Sequence, residues 1–203
     1  MAKTKIAVLV SGGGTNLQAL IDAQAAGLIP NGEITLVVSN RKAAYALERA
    51  RNHGIEGVVL SKYMQPDPEK YDEMLLDILK SRGVEMIALA GFLGILGKRV
   101  LGEYENKIVN IHPALIPSFC GMGFYGLKVH EEALRRGVKV TGATAHLVNG
   151  EVDGGPILLQ KAVEVLEGDT PEILQRRVME QAEWELLPAA VRMISDQIAL
   201  GRK

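Results

Sequence analysis

Lys5-Ile-Ala-Val-Leu-Val-Ser-Gly-Gly-Gly-Thr-Asn16, continuing in a helical pattern to Ala26, decides the fold. The run Lys5–Val10 is apolar after its first residue, with no polar alternation. A strand of that kind is buried on both faces, as in a parallel sheet covered by helices. The glycines then turn the chain directly into a helix over Thr15–Ala26. Working outward, the same alternation recurs. Short runs at Ile34–Ser39, Gly57–Leu60, Val84–Ala90 and Lys107–Ile111 read as strands, and Ala43–His53, Pro68–Arg82 and Gly97–Tyr104 carry helical period. Asn52-His53-Gly54 reads as a helix end with Gly54 as the stop and His53 as a cation beside it.

Beyond residue 120 the pattern changes. Leu127–Arg136 reads as a helix stopped by Gly137. Val138–Val148 and Ile157–Leu166 read as long strands joined through Asn149-Gly150 and Asp153-Gly-Gly-Pro156, a long-looped hairpin. Asp169-Thr170-Pro171-Glu172 has a capping residue before a proline and starts a helical pattern that runs towards Leu200. The prediction is one α/β domain, a mostly parallel sheet with helices on both faces and an antiparallel C-terminal edge.

Composition narrows the function. Apolar residues make up 47% and charged residues 23% of the 203, as in ordinary globular domains. The net charge of −1 provides no overall field to draw nucleic acid or an anionic membrane, so neither is expected as a partner. One cysteine, Cys120, leaves no internal disulfide and no cysteine cluster for a metal. The short apolar stretch after Lys5 does not make a secretory signal, and the uncharged run Met86–Gly97 is too short to span a bilayer. A cytoplasmic protein without a metal is expected.

Two segments carry chemistry. In Ser11-Gly-Gly-Gly-Thr-Asn16 the glycines permit close backbone approach to a ligand. The helix start beyond them offers free amides and a positive dipole end to an anion. A bare strand-to-helix turn is the alternative reading, because neither standard nucleotide fingerprint is present. In Lys107-Ile-Val-Asn-Ile-His-Pro-Ala-Leu-Ile-Pro117, Asn110 and His112 are two apart and share one strand face. Pro113 ends the ladder and places both at the strand's C-terminal end, where open α/β sheets bind ligands. Asp153, in a glycine-rich loop, would raise the pKa of a neighbouring imidazole and make His112 a better proton donor. A turn aspartate and an edge histidine are the plainer alternative. His146 either supports this group from behind or is a satisfied core histidine. His130 either lines the mouth or lies on a solvated helix face. Trp184 is expected to pack the last helix.

Four motifs occur together: Ser11-Gly-Gly-Gly-Thr-Asn16, Ala90-Gly-Phe-Leu-Gly-Ile-Leu96, Asn110-Ile-His-Pro-Ala-Leu-Ile-Pro117 and Glu151-Val-Asp-Gly-Gly-Pro156. In this order and spacing the chain resembles the folate-dependent phosphoribosylglycinamide formyltransferase family over essentially its whole length. The resemblance implies a Rossmann-like sheet and formyl transfer from the co-substrate 10-formyltetrahydrofolate to the amine of 5-phosphoribosylglycinamide, in purine synthesis, by a monomer or homodimer. It implies a single domain, residues 1–203, with a phosphate-binding half (1–105) and a catalytic and folate-binding half (106–203). Asn110, His112 and Asp153 fall on the family's catalytic set, with protonated His112 and Asn110 steadying the oxyanion. Gly13, Gly14, Thr15 and Asn16 fall on its phosphate turn, and Glu180 and Glu183 on its ribonucleotide contacts. Lys70, Leu93, Gly94, Ile95, Leu96 and Asn110 fall on the folate side. The chain departs from the common pattern with Gly94 in place of an arginine, Glu180 in place of glutamine or lysine, and a longer insert at Ser118–Tyr125. A formyltetrahydrofolate hydrolase or a methionyl-transfer-RNA formyltransferase would carry a further domain. A non-catalytic binder would not need Asn110, His112 and Asp153 together.

Overall fold

The computed structural model describes residues 2–201. Among the described residues there are seven strands: β1 (Thr4–Val10), β2 (Gly32–Ser39), β3 (Glu56–Val59), β4 (Met86–Leu89), β5 (Ile108–His112), β6 (Val140–Leu147) and β7 (Ile157–Glu164). The helices are α1 (Thr15–Ala25), α2 (Tyr45–Asn52), α3 (Pro68–Ser81), α4 (Lys98–Glu103), α5 (Leu127–Arg136), α6 (Pro171–Val178) and α7 (Trp184–Gly201). A π-helical turn, Met179–Glu183, joins α6 to α7. The strands form one sheet in the order β3-β2-β1-β4-β5-β6-β7. β1 to β5 are parallel, and β6 and β7 are antiparallel to their neighbours. The strand order reverses between β1 and β4, which makes the ends of those strands the topological switch point where such sheets bind ligands.

β1 shows why its sequence is apolar throughout. Ile6, Val8 and Val10 join Leu17, Leu20 and residues of α7 in one core, whereas Ala7 and Leu9 join Leu75 and Leu79 of α3 in a second core on the other face. Burial on both faces also fixes the register, because a slip of one residue would exchange the two sets. The second core is tied together by capping. Asp67 caps α3 by accepting the N–H groups of Glu69 and Lys70. The buried Asp72 carboxylate crosses to α4 and accepts from Arg99 N and Val100 N at 2.8 and 3.3 Å. Thr170 caps α6, and Asp169 pairs with both terminal nitrogens of Arg177 at 2.5 and 2.6 Å.

Two features differ from the sequence reading. The final helical stretch is not regular, since the wide turn at Met179–Glu183 interrupts it. Pro188, inside α7, has no N–H to return to the Trp184 carbonyl, so the ladder is already broken one turn later. In β6–β7, Ala145 pairs with Leu159 but His146 pairs with Ile157, so an extra residue sits opposite His146. A bulge of this kind re-aims the side chain beside it.

His130 is on neither of the faces expected for it. It is fully buried in α5, and neither ring nitrogen has a hydrogen-bond partner among the described residues. Burial pushes its pKa down to about 4, and His112 nearby adds to the fall. An unfolded chain takes up this proton near 6.5, whereas the native state does so only near 4. Stability is therefore lost as the pH falls through that window. His130→Leu is expected to flatten the dependence of urea-unfolding midpoints on pH between those values. An unchanged slope would show that His130 does not contribute to it.

Candidate active site

The glycine turn leaves β1 at the switch point. Gly14 caps α1 with φ +73°, in the left-handed region, and no side chain caps the helix. The first amides of α1 are thus open to an anion. A Cβ on Gly14 would lie 2.7 Å from Ala46 Cβ, so glycine is required both for its conformation and for its packing. Buried Ser11, just before the turn, accepts the Leu93 N–H at 2.8 Å through its hydroxyl. This bond ties the turn after β1 to the loop after β4.

Asn110 and His112 lie on one face of β5, and β6 places His146 opposite Asn110 and Thr144 opposite His112. Residues opposed across an antiparallel pair share a face. The Asn110 Nδ2 and His146 Nε2 atoms are 3.1 Å apart, and His146 Nδ1 lies 2.8 Å from the Leu147 carbonyl. A carbonyl only accepts, so His146 donates to it from Nδ1, while its Nε2 faces both the Asn110 amide and the Asp153 carboxylate. Asp153, held at φ +56°, completes the group. Its Oδ2 lies 3.6 Å from His112 Nδ1, its Oδ1 lies 3.6 Å from His146 Nε2, and Oδ2 accepts the Gly121 N–H at 2.9 Å.

The electrostatics revise one expectation. Burial depresses the His112 pKa and outweighs the opposing pull of the Asp153 carboxylate and the Phe119 carbonyl, while His146 lowers it further. His112 therefore favours its neutral form, not the imidazolium expected from Asp153 alone. Its Nε2 donates to the Phe119 carbonyl at 2.8 Å, which places the single proton on Nε2. For Asp153, burial works to raise the pKa. His146, the Gly121 N–H and His112 together outweigh it and hold the carboxyl below its ordinary value, hence ionised.

This group opens into a cavity of about 410 Å³ whose walls come from both halves of the chain. Asn16, Leu93, Gly94, Ile95, Leu96, Asn110, His112, Asp153 and Glu183 all line it. So do His146, which the sequence offered as a support of this group, Val148–Val152 and the insert residues Gly121–Tyr125, together with Gln175 and Met179, which carry no motif. Gly94 packs under the Phe92 ring, and a Cβ there would meet that ring at 2.5 Å. Thr15 lies in an adjoining open groove of about 540 Å³ with Gln18, Arg49 and Trp184, and its hydroxyl reaches Met179 Sδ at 3.9 Å. Lys70 is exposed on the first turn of α3, and Glu180 is exposed on the wide turn; neither lines the cavity. Among the described residues, no group of three or more His, Cys, Asp or Glu is arranged to hold a metal ion. No helix among them is long and apolar enough to cross a membrane.

Glu183 is the most perturbed group in the wall. It is 6% exposed, and burial pushes its pKa up to about 7 against the opposing hydrogen bond from Asn16 Nδ2 at 2.6 Å. The native state thus keeps a proton that the unfolded chain releases near 4.5, and stability falls as the pH rises from there to about 7. Glu183→Gln should abolish that slope in unfolding midpoints. It should also remove an ionisation near pH 7 from the pH profile of acceptor kcat/KM, and a profile identical to the wild type would contradict the assignment.

Comparisons with known proteins agree with this fold. The family model described as Formyl transferase matches residues 4–191. The chain is 40% identical over 180 residues to the chloroplastic phosphoribosylglycinamide formyltransferase of Arabidopsis thaliana, covering 88% of this chain and 61% of that protein's length. It is 38% identical over 192 residues to the phosphoribosylglycinamide formyltransferase of Haemophilus influenzae, covering 95% of this chain and 87% of the relative. The crystal structure of glycinamide ribonucleotide transformylase 1 from Symbiobacterium toebii superimposes with a TM-score of 0.89 at 41% identity, covering 96% and 89% of the two chains. A family match from the first strand into the last helix, and a relative 38% identical that the chain covers to 87% of its length, mean that the chain, which spans less than two thirds of the length of the first curated relatives it matches, belongs to the formyl transferase family, on its phosphoribosylglycinamide formyltransferase branch.

Proposed function

We propose that the protein transfers a formyl group from 10-formyltetrahydrofolate to the amine of 5-phosphoribosylglycinamide. The observation that carries this reading is the convergence of Asn110, His112 and Asp153 in one cavity that also reaches Asn16 of the glycine turn. The folate would lie against Leu93, Gly94, Ile95 and Leu96. The acceptor's phosphate would sit at the turn Gly13–Asn16, and its glycinamide end beside Glu183. Small molecules are the expected partners, in a cytoplasmic setting.

The acceptor amine, unprotonated, attacks the formyl carbon and forms a C–N bond, while the carbonyl pair moves onto oxygen. Asn110 Nδ2 donates to that oxygen. Neutral His112 donates from Nε2, exchanging the Phe119 carbonyl for the oxyanion. Such donors are worth most when fixed before reaction in a water-poor site. Ionised Asp153 draws the proton from the new ammonium, through water, and passes it to the folate nitrogen as the C–N bond to folate breaks. Glu183 binds the amine and is half-ionised near neutrality. Alignment of the two substrates supplies up to ~7–11 kcal/mol of the barrier reduction.

The test is an absorbance assay for folate product with purified protein, with and without 5-phosphoribosylglycinamide. Product formed only with the acceptor supports transfer. Product formed without it would indicate a hydrolase, and folate binding with no product a binder.

A further inference from the structure

Helix α2 holds two successive carbonyls of the glycine turn. The Gly12 carbonyl accepts the Ala46 backbone N–H at 3.1 Å, and the Gly13 carbonyl accepts Arg49 Nε at 2.9 Å. A trans peptide unit points its C=O and N–H in opposite directions. Fixing both carbonyls towards α2 therefore aims the N–H groups of Gly13 and Gly14 away from it. A Cβ on Gly12 or Gly13 would meet no atom within 4 Å, so nothing crowds the turn at the Cβ positions of those two residues. Successive amides aimed the same way form a concavity that binds anions.

Arg49 is itself firmly placed. Its Nη1 donates to Gln18 Oε1 on α1 at 3.0 Å, and its guanidinium lies 5.1 Å from the centre of the Tyr45 ring. Its Cδ packs beside Gly14, 3.4 Å from where a Cβ would be. One side chain thus joins α2, α1 and the turn between β1 and α1. A cation bonded to the Gly13 carbonyl also polarises that peptide, which strengthens the Gly14 N–H as a donor.

We propose that Arg49 is a positioning residue for the acceptor's phosphate: by holding the Gly13 carbonyl against α2, it presents the Gly14 N–H to the anion. The proposal rests on the formyl-transfer reading for the identity of the anion, and it is specific to the acceptor. Arg49 lines the groove that holds Thr15 and not the cavity walled by Leu93–Leu96, so donor binding is left alone.

Arg49→Met keeps much of the stem and removes every donor, whereas Arg49→Lys keeps the charge. Steady-state kinetics with both substrates and calorimetric titration with inorganic phosphate read the effect. In Arg49→Met, the acceptor KM and the phosphate Kd are expected to rise about tenfold, the loss of one charge-assisted bond. The folate KM and the kcat at saturating acceptor should move by no more than about twofold. Arg49→Lys should recover part of the loss. An unchanged acceptor KM and phosphate Kd in Arg49→Met, or equal rises in the KM of both substrates, would overturn the proposal. The phosphate titration needs no turnover. Phosphate binding that is present in the wild type and weakened in Arg49→Met therefore upholds the role of Arg49 even if the wild type transferred no formyl group to 5-phosphoribosylglycinamide, the result that sinks the activity itself.

Discussion

Replacing Asp153 with asparagine is expected to lower kcat by roughly 10²–10⁴-fold, the range for losing a positioned acid–base group, with little change in either KM. The variant is a clean probe. Asn is among the few residues that tolerate positive φ, so the backbone at +56° is kept. Its side-chain oxygen can still accept the Gly121 N–H that Asp153 Oδ2 accepts at 2.9 Å. What disappears is the charge facing His112 and His146, each at 3.6 Å, and the ability to carry a proton. Rapid-quench measurement of the chemical step separates this from slow product release. Turnover within a few-fold of wild type would remove Asp153 from the proton path.

Gly155→Ala should have the largest effect on folding. A Cβ at that position would lie 1.8 Å from the Leu147 carbonyl oxygen and 2.8 Å from its carbon. Both are backbone atoms of β6, held beside the Leu147 N–H bond to the Pro156 carbonyl at 2.9 Å, so they cannot yield cheaply. Forced separation would open the loop that presents Asp153. A loss of about 4 kcal/mol or more is expected, at the severe end for one substitution. Gly154→Ala is the control, because the atoms nearest its Cβ belong to the Glu151 side chain, which can swing away. Thermal melts of the two should differ by on the order of 10 °C. Equal melting temperatures would show that the close contact at Gly155 is not needed.

The parallel sheet was legible because each strand carries its own signal. Ile6, Val8 and Val10 face one core and Ala7 and Leu9 the other, which leaves a run with no polar break. Asn110 and His112 were legible for a related reason: a spacing of two puts both on one face, and Pro113 marks the strand end. The hydrogen bond between His146 and Asn110 was not legible, since it depends on antiparallel register and on a bulge set by residues of β7. Desolvation decided His112, and the depth at which a side chain is buried cannot be read from its neighbours in sequence. Glu180 and Glu183 are three apart and would share a face in a regular helix. In the wider π turn they do not, and Glu183 enters the cavity while Glu180 stays outside. Arg49 gave no local signal because its partner, the Gly13 carbonyl, is 36 residues away.

The wide turn at Met179–Glu183 also sets the phase of the whole C-terminal rod. Leu174 and Val178 before it, and Leu187, Val191 and Ile194 after it, all lie in the same core. At ~100° per residue, an uninterrupted helix could not keep that stripe in line and also deliver Glu183 to the cavity. The turn acts as a clutch between two rotational settings. Insertions and deletions are therefore better tolerated beyond Ile194 than within these five residues, where a change of one would swing either the glutamate or the packing stripe to the wrong side.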